Sequence, residues 1–421
     1  MRCERLELRG DPRPLVDQLR GLIPAPASVS AVVAEIVDRV RADGDDAVLD
    51  YTRTLDTAGR DPLPIRVADD ELDAAAQAMD AGVRRALQQL IANVQAVARV
   101  QRGPSRDTVR LSGQDVRTRR VPVHRAAVYV PSGRAPYPST VVMGVVPARV
   151  AGVREVVVSA PPGPDGAVDP LIAGACRIAG ASVLYRMGGA QAIAALALGT
   201  ETVAPVDVIV GPGNLYVQEA KRQLSGTVGI DGFAGPSDLV VIVDARADPE
   251  PIALDLLAQA EHGDGTIVIA ASPSTELLDA LAQRLSRAPD TGAVAALIQV
   301  EGAEAALGLA ETFAPEHLEL VGAQAEALAA RVTRAGAVFV GQDSATAFGD
   351  YIAGSNHILP TASAARFASG LSPDHFLRTV AEVTVTSPSE LAETAVPLAR
   401  AEGFELHAQS MEARIRDNPP R

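Results

Sequence analysis

The chain has 421 residues, which at roughly 100 to 200 residues per domain leaves room for two to four domains and more than one hydrophobic core. Hydrophobic residues at 47% and charged residues at 21% match folded soluble domains and exclude wholesale disorder or a fibrous repeat. A net charge of −14 without a Lys/Arg-rich stripe argues against nucleic acid as a partner, and a charged N-terminus with no apolar run of ~18 residues removes the simplest support for secretion or a membrane span.

Residues from about 27 to 102 carry apolar positions at helical spacing, in VVAEIVDRVRADGDDAVLDYTRTLD and ELDAAAQAMDAGVRRALQQLIANVQAVARV, and few strands are visible there. From Ala127 the pattern changes to short β-branched runs alternating with Ala-rich segments. AVYV, EVVVSA, SVLYRM and VDVIV alternate with the helices DPLIAGACRIAG and GAQAIAALALG, a βαβ series of the doubly wound kind. After AGPS a second series begins with LVVIVD, TIVIAAS, AALIQV, LELV and GAVFVG as strands. The fold class is therefore α/β, with two Rossmann-like doubly wound domains, a helical N-terminal region and a small C-terminal domain. That last domain combines a β-like TVAEVTVTS with a final helix through LAETAVPLARAEGFELHAQSMEARIRD.

The turn after VDVIV is GPGN, Gly211 to Asn214, opening a helix; MGGAQ, with Gly188, Gly189 and Gln191, follows the strand before it. Both lie at the carboxyl edge of one sheet, where α/β proteins bind ligands. GPGN is either a phosphate cradle or a tight turn needing glycine angles, and Tyr216 stands where GxGxxG has its third glycine. The six histidines are His124, His262, His317, His357, His375 and His407. Gln259 and His262 in QAEHG share a helical face near its end, which serves either a metal or the last carbonyls of the helix. Glu316 and His317 in APEHLEL set an acid beside a base, for proton transfer if both face one cavity, or else as an exposed turn or helix opening. Asp350 and His357 flank a Gly-Ser-Asn turn, and His407 follows Glu402 by five residues; either pair is equally at home on a plain surface. Two cysteines, Cys3 and Cys176, exclude a disulfide framework or a four-cysteine zinc site and fit a reducing cytoplasm. Lys221 is the only lysine among 38 basic residues, a bias that reads as genomic and argues against Schiff-base chemistry.

Taken in order, YVPSGRAPYPSTVVM, MGGAQAIAALALGTE, GPGNLYVQEAKRQ, AGPSDLVVIVD, LLAQAEHG, APEHLEL, GDYIAGSNHILPT and ELHAQS resemble histidinol dehydrogenase from about Val37 to His407. The resemblance implies a cytoplasmic enzyme of histidine biosynthesis that oxidises L-histidinol to L-histidine through the aldehyde, with two NAD and one zinc per subunit. It implies zinc ligands Gln259, His262, Asp350 and His407; the base His317; and Glu316 as activator of the water that adds to the aldehyde. Ser237, His357 and Glu402 would join the ligands and His317 in the substrate pocket, while Tyr129, Gln191 and Asn214 would hold NAD. Family members are homodimers with a swapped C-terminal segment, so Glu402 and His407 would act in the partner's site. The implied division is an N-terminal arm (1–24), a helical part of the first large domain (25–128), an NAD-side Rossmann-like domain (129–237), a zinc and substrate domain packing with 25–128 (238–372), and a C-terminal dimerisation domain (373–421). Two departures stand out: Asp238 where glutamate is commoner, and Ser132 where glycine is frequent, both expected to act through loop geometry alone. With both cysteines remote from these motifs, a hydrate is the simpler route to the acid than a thiohemiacetal. The rivals are oxidation of another small polar alcohol, such as a sulfonated diol, and a silent scaffold. His357 and Glu402 suit a cationic amino alcohol, and no catalytic or ligand position is lost.

Overall fold

The structure is a computed structural model that describes residues 1–23, 28–131, 135–233 and 235–415, so Ser132 lies outside the described residues. In chain order, β1 (Arg2–Glu7) and α1 (Arg13–Gly21) precede α2 (Ser30–Leu55), α3 (Asp69–Ala78) and α4 (Ala81–Arg102), and β2 (Arg106–Leu111) and β3 (Gln114–Pro122) follow. The first alternating series is β4 (Arg125–Tyr129), α5 (Pro138–Ala151), β5 (Glu155–Ala160), α6 (Pro170–Ala179), β6 (Val183–Arg186), α7 (Gly189–Leu198), β7 (Val208–Val210), α8 (Leu215–Leu224) and β8 (Gly229–Ile230). The second is β9 (Asp238–Val243), α9 (Pro249–Ala260), β10 (Ile267–Ser272), α10 (Thr275–Ser286), β11 (Val294–Gln299), α11 (Ala303–Phe313), β12 (His317–Val321), α12 (Ala323–Glu326), β13 (Ala337–Val340) and α13 (Thr346–Tyr351). β14 (Leu377–Val385), α14 (Pro388–Ala401) and α15 (Glu405–Glu412) close the chain.

The expected pair of Rossmann-like sheets is present. One is parallel in the order β6-β5-β4-β7-β8, the other parallel in the order β1-β11-β10-β9-β12-β13. Both reverse direction beside their first strand, between β4 and β7 and between β9 and β12, as doubly wound sheets do. Their central strands are apolar on both faces because helices cover both sides.

Contacts divide the chain into two units. Met1–Gln101 with His124–Phe376 form one, and Arg102–Val123 with the segment from Leu377 onward form the other. Some sequence expectations change here. The N-terminal arm is an edge strand, β1 pairing with β11 from Arg2 opposite Val294. Of the helices between 25 and 128, α2 lies on α7 and α3 on α6, while Asn93 of α4 donates to the Ile352 carbonyl of the second series. The place of α2 follows from its apolar face, whose Val33, Ile36, Val37 and Val40 share a core with Ala127, Tyr129, Val157 and Ile193. Lastly, 106–122 is not helical. Its alternation of Val and Thr with arginine suits a sheet, and β3 pairs antiparallel with both β2 and β14, in the second unit. There, the final helix also breaks at Gly403, whose φ of +82° lies in the left-handed region that stops a helix. Among the described residues no helix is long and apolar enough to cross a membrane.

Candidate active site

Two sheet edges in the first unit carry the expected residues other than Glu402 and His407. At the carboxyl edge of the first sheet, Tyr129 ends β4, Gln191 sits in the first turn of α7, and Asn214 caps α8 by accepting from the Tyr216 and Val217 backbone N–H groups. The Tyr129 hydroxyl accepts from the Gly189 N–H at 3.0 Å, and burial pushes its acidity up to about 12, so it stays a neutral hydrogen-bonding group. Gln191 is 1% exposed, and its Oε1 is buried without a hydrogen-bond partner. An orphan acceptor of this kind is costly unless a ligand donor reaches it, which suits a cofactor position.

The chemistry-bearing groups lie at the amino edge of the second sheet. Glu316 and His317 do not open a helix; they lead into β12. α11 ends at Ala314 in the left-handed region at φ +52°, Pro315 cannot continue it, and the chain turns into the sheet. β12 pairs with β9, which places Glu316 beside Ser237 and Asp238. The Ser237 hydroxyl donates to Glu316 Oε2 and accepts from Gln259 Nε2 at 2.5 Å. The serine expected to touch substrate thus also joins the acid to the amide.

Asp238 has a larger part than its sequence position suggested. Rather than acting only through loop geometry, its N–H donates to Glu316 Oε2 at 3.1 Å, and its Oδ1 accepts from the Glu316 N–H at 2.7 Å. Its carbonyl oxygen lies 3.4 Å from His317 Nδ1. Burial pushes Glu316 up to about 7, although the Ser237 hydroxyl and the Asp238 N–H pull it down. Burial also holds His317 below the usual imidazole range. A neutral His317 with Nδ1–H facing the Asp238 carbonyl leaves Nε2 as a proton acceptor.

His262 follows the end of α9, its N–H bonded to the Gln259 carbonyl, and burial lowers its pKa against the pull of Asp350. Burial alone would raise Asp350, but the His357 hydrogen bond and the charges of His357, His317 and His262 outweigh it and hold Asp350 low. His357 Nδ1 lies 3.5 Å from Asp350 Oδ1, and its Nε2 lies 3.2 Å from Thr140 Oγ1 in the first turn of α5. With Asn356 donating to the Met143 carbonyl, this loop ties the second sheet to a helix of the first.

An amide oxygen, a neutral imidazole and an ionised carboxylate are donors that zinc accepts, and Gln259, His262 and Asp350 supply them. They are one short of the usual four. Among the described residues no group of three or more His, Cys, Asp and Glu converges on one point. Glu402 and His407 belong to the second unit, where both are exposed and the His407 ring meets Phe404 edge-on at 5.1 Å.

Comparison with known proteins identifies the family. The histidinol dehydrogenase family profile matches residues 24–415. The histidinol dehydrogenase of a Synechococcus species is 43% identical over 397 residues, 91% of this chain and 92% of that one. That of Rhodospirillum rubrum is 42% identical over 94% of both chains. The crystal structure of histidinol dehydrogenase from Elizabethkingia anophelis superposes with a TM-score of 0.90 at 29% identity, over 98% of each chain. By sequence, fold and the residues gathered at its two sheet edges, this chain belongs to the histidinol dehydrogenase family, the oxidoreductases of histidine biosynthesis that act on an alcohol.

Proposed function

We propose that the chain oxidises L-histidinol to L-histidine through L-histidinaldehyde in the cytoplasm, with zinc in the site and two NAD molecules each taking one hydride. The observation that carries this reading is the buried Glu316–His317 pair, one group pushed up to about 7 and the other held neutral, beside His262, Asp350 and His357. Overall, one alcohol, one water and two NAD+ become one carboxylate, two NADH and three protons.

His317 Nε2 takes the hydroxyl proton as the first hydride leaves the carbinol carbon. Glu316, raised by burial to about 7, takes a proton from the water that adds to the aldehyde in its ionised form. His317 gives its first proton to the aldehyde oxygen as the hydrate forms, and then accepts the hydrate proton as the second hydride leaves. Ser237 keeps Glu316 in place throughout. Gln259, His262 and Asp350 would hold the metal, with His407 supplied by a second copy of the chain. When bound, zinc supplies a Lewis-acidic anchor for the substrate nitrogens that positions the carbinol carbon. His357 lines the pocket, and Glu402 of the second copy balances the substrate's positive charge. Tyr129, Gln191 and Asn214 receive NAD at the first sheet's carboxyl edge. The homodimer draws support from Leu398, Phe404 and Leu406, 64%, 53% and 78% exposed around Glu402 and His407, an apolar surface that a partner would cover.

The test is the yield of NADH per L-histidinol consumed by purified protein, before and after chelation and with zinc restored. The expected ratio is two, lost with the metal and regained with it. A ratio of one would sink the second half of the mechanism, and no NADH at all would sink the substrate.

A further inference from the structure

The GPGN turn is gripped by a buried ion pair that has no part in the proton transfers above. Lys221, in the last turn of α8, is 1% exposed. Its ammonium donates to the Gly211 carbonyl oxygen at 2.5 Å and to Asp231 Oδ1 at 2.8 Å. Asp231 Oδ2 accepts from the Gly211 N–H at 2.7 Å. Both polar backbone groups of a single residue are thus held by the two members of one ion pair. Gly211 needs that hold, because its φ of +113° is open to glycine and a Cβ there would overlap the Tyr129 carbonyl oxygen. The turn therefore presses against the end of β4. Three residues on, Asn214 caps α8, and the Tyr129 hydroxyl binds the Gly189 N–H at the start of the helix carrying Gln191. One chain of contacts joins the ion pair to Tyr129, Gln191 and Asn214.

The identity of the cation adds a second argument. Taking an ion pair out of water is costly, and an apolar pair of similar volume would often serve packing as well. This chain carries arginine at every other basic position outside histidine, yet keeps a lysine here. A compact ammonium suits two oxygens in a closed space, whereas a guanidinium would bring five donors in a rigid plane.

We propose that Lys221 and Asp231 are positioning residues that hold the Gly211–Asn214 turn in the shape that receives NAD, acting through the turn and not on the reacting atoms. This rests on the reading that NAD lies at this sheet edge.

The test titrates NAD calorimetrically into zinc-loaded wild type, Lys221→Met, Lys221→Arg, the charge-free double variant Lys221→Met/Asp231→Asn, and Gln191→Ala, and measures KM for both substrates. The double variant leaves no unpaired charge, so it serves if the single one does not fold. Both methionine variants are expected to weaken NAD about tenfold or more, with the histidinol KM at saturating NAD within about twofold of wild type. Arginine should not restore NAD affinity. Folded lysine variants that bind NAD like wild type, while Gln191→Ala binds it weakly, would reduce the pair to a structural one and overturn the proposal. If Gln191→Ala also binds NAD normally, the cofactor's place at this edge falls, and the proposal with it.

Discussion

Glu319 sits in the middle of β12, 1% exposed, with its carboxyl hydrogen-bonded to that of Asp255 on α9. Burial first, and the neighbouring carboxylate second, push Glu319 up to about 9, and burial raises Asp255 as well. At neutral pH the folded pair therefore shares a proton that the unfolded chain has already released. Because the folded pKa lies above the unfolded one, this contribution to stability is complete below the ordinary value of 4.5 and is lost as pH rises toward 9. Each pH unit in that window is worth about 1.4 kcal/mol, so the loss between about pH 5.5 and about pH 8 is on the order of 3 kcal/mol. Glu319→Gln offers Asp255 a permanent donor and needs no proton. Its second amide hydrogen lacks a partner in this buried place, costing about 1–3 kcal/mol at acid pH. That deficit should shrink with rising pH and close or reverse by about pH 8. Urea-denaturation midpoints of both proteins across this range provide the assay. Parallel pH profiles for variant and wild type would refute the shared proton.

Three further outcomes follow from the site. His317→Ala should lower turnover by about 10²–10⁴-fold while zinc content measured by atomic absorption stays near wild type, and loss of metal would contradict a role confined to base chemistry. With free aldehyde supplied separately, Glu316→Gln should slow the second oxidation more than the first; equal slowing would count against Glu316 as water activator. If His407 acts across a subunit interface, mixing His317→Ala with His407→Ala subunits under exchange should recover part of the activity. Proven heterodimers without activity would favour a site built within one chain.

The two doubly wound series were legible because β-branched runs alternating with Ala-rich helices carry a strong local signal, and the carboxyl-edge turns MGGAQ and GPGN fell where that pattern placed them. The pairing of 106–122 with 377–385 was not: β14 read as β-like, but β2 and β3 interleave Val and Thr with arginine on a largely solvent-accessible surface, and nothing local says which distant strand they meet. The packing of α2 on α7 was hidden for a similar reason. Its apolar face is plain in the sequence, but nothing local says which sheet it covers. Within the site, adjacency marked Glu316 and His317, whereas Asp238 looked like a minor departure because its partners lie 78 and 79 residues away. The signal that could have found it is an acidic residue at the start of each of two apolar runs later paired as parallel neighbours.

That signal also bears on why the candidate catalytic pair lies at the amino edge of the second sheet, when open α/β sheets usually bind ligands at the carboxyl edge. In β9 and at the entry to β12 the backbone N–H groups are used reciprocally. The Asp238 N–H serves the Glu316 carboxylate, and the Glu316 N–H serves that of Asp238. Each acid thereby fixes the strand that carries the other, and the two carboxylates are held close in a space from which water is excluded. Burial then raises both, and the nearness of Glu316 raises Asp238 further. In the mechanism proposed above, an acid raised to about 7 is a stronger base toward water than one of ordinary strength. Burial raises Glu316 and the Asp238 N–H pulls it part of the way back, so the contact that secures the strand ends also moderates the proton affinity of Glu316.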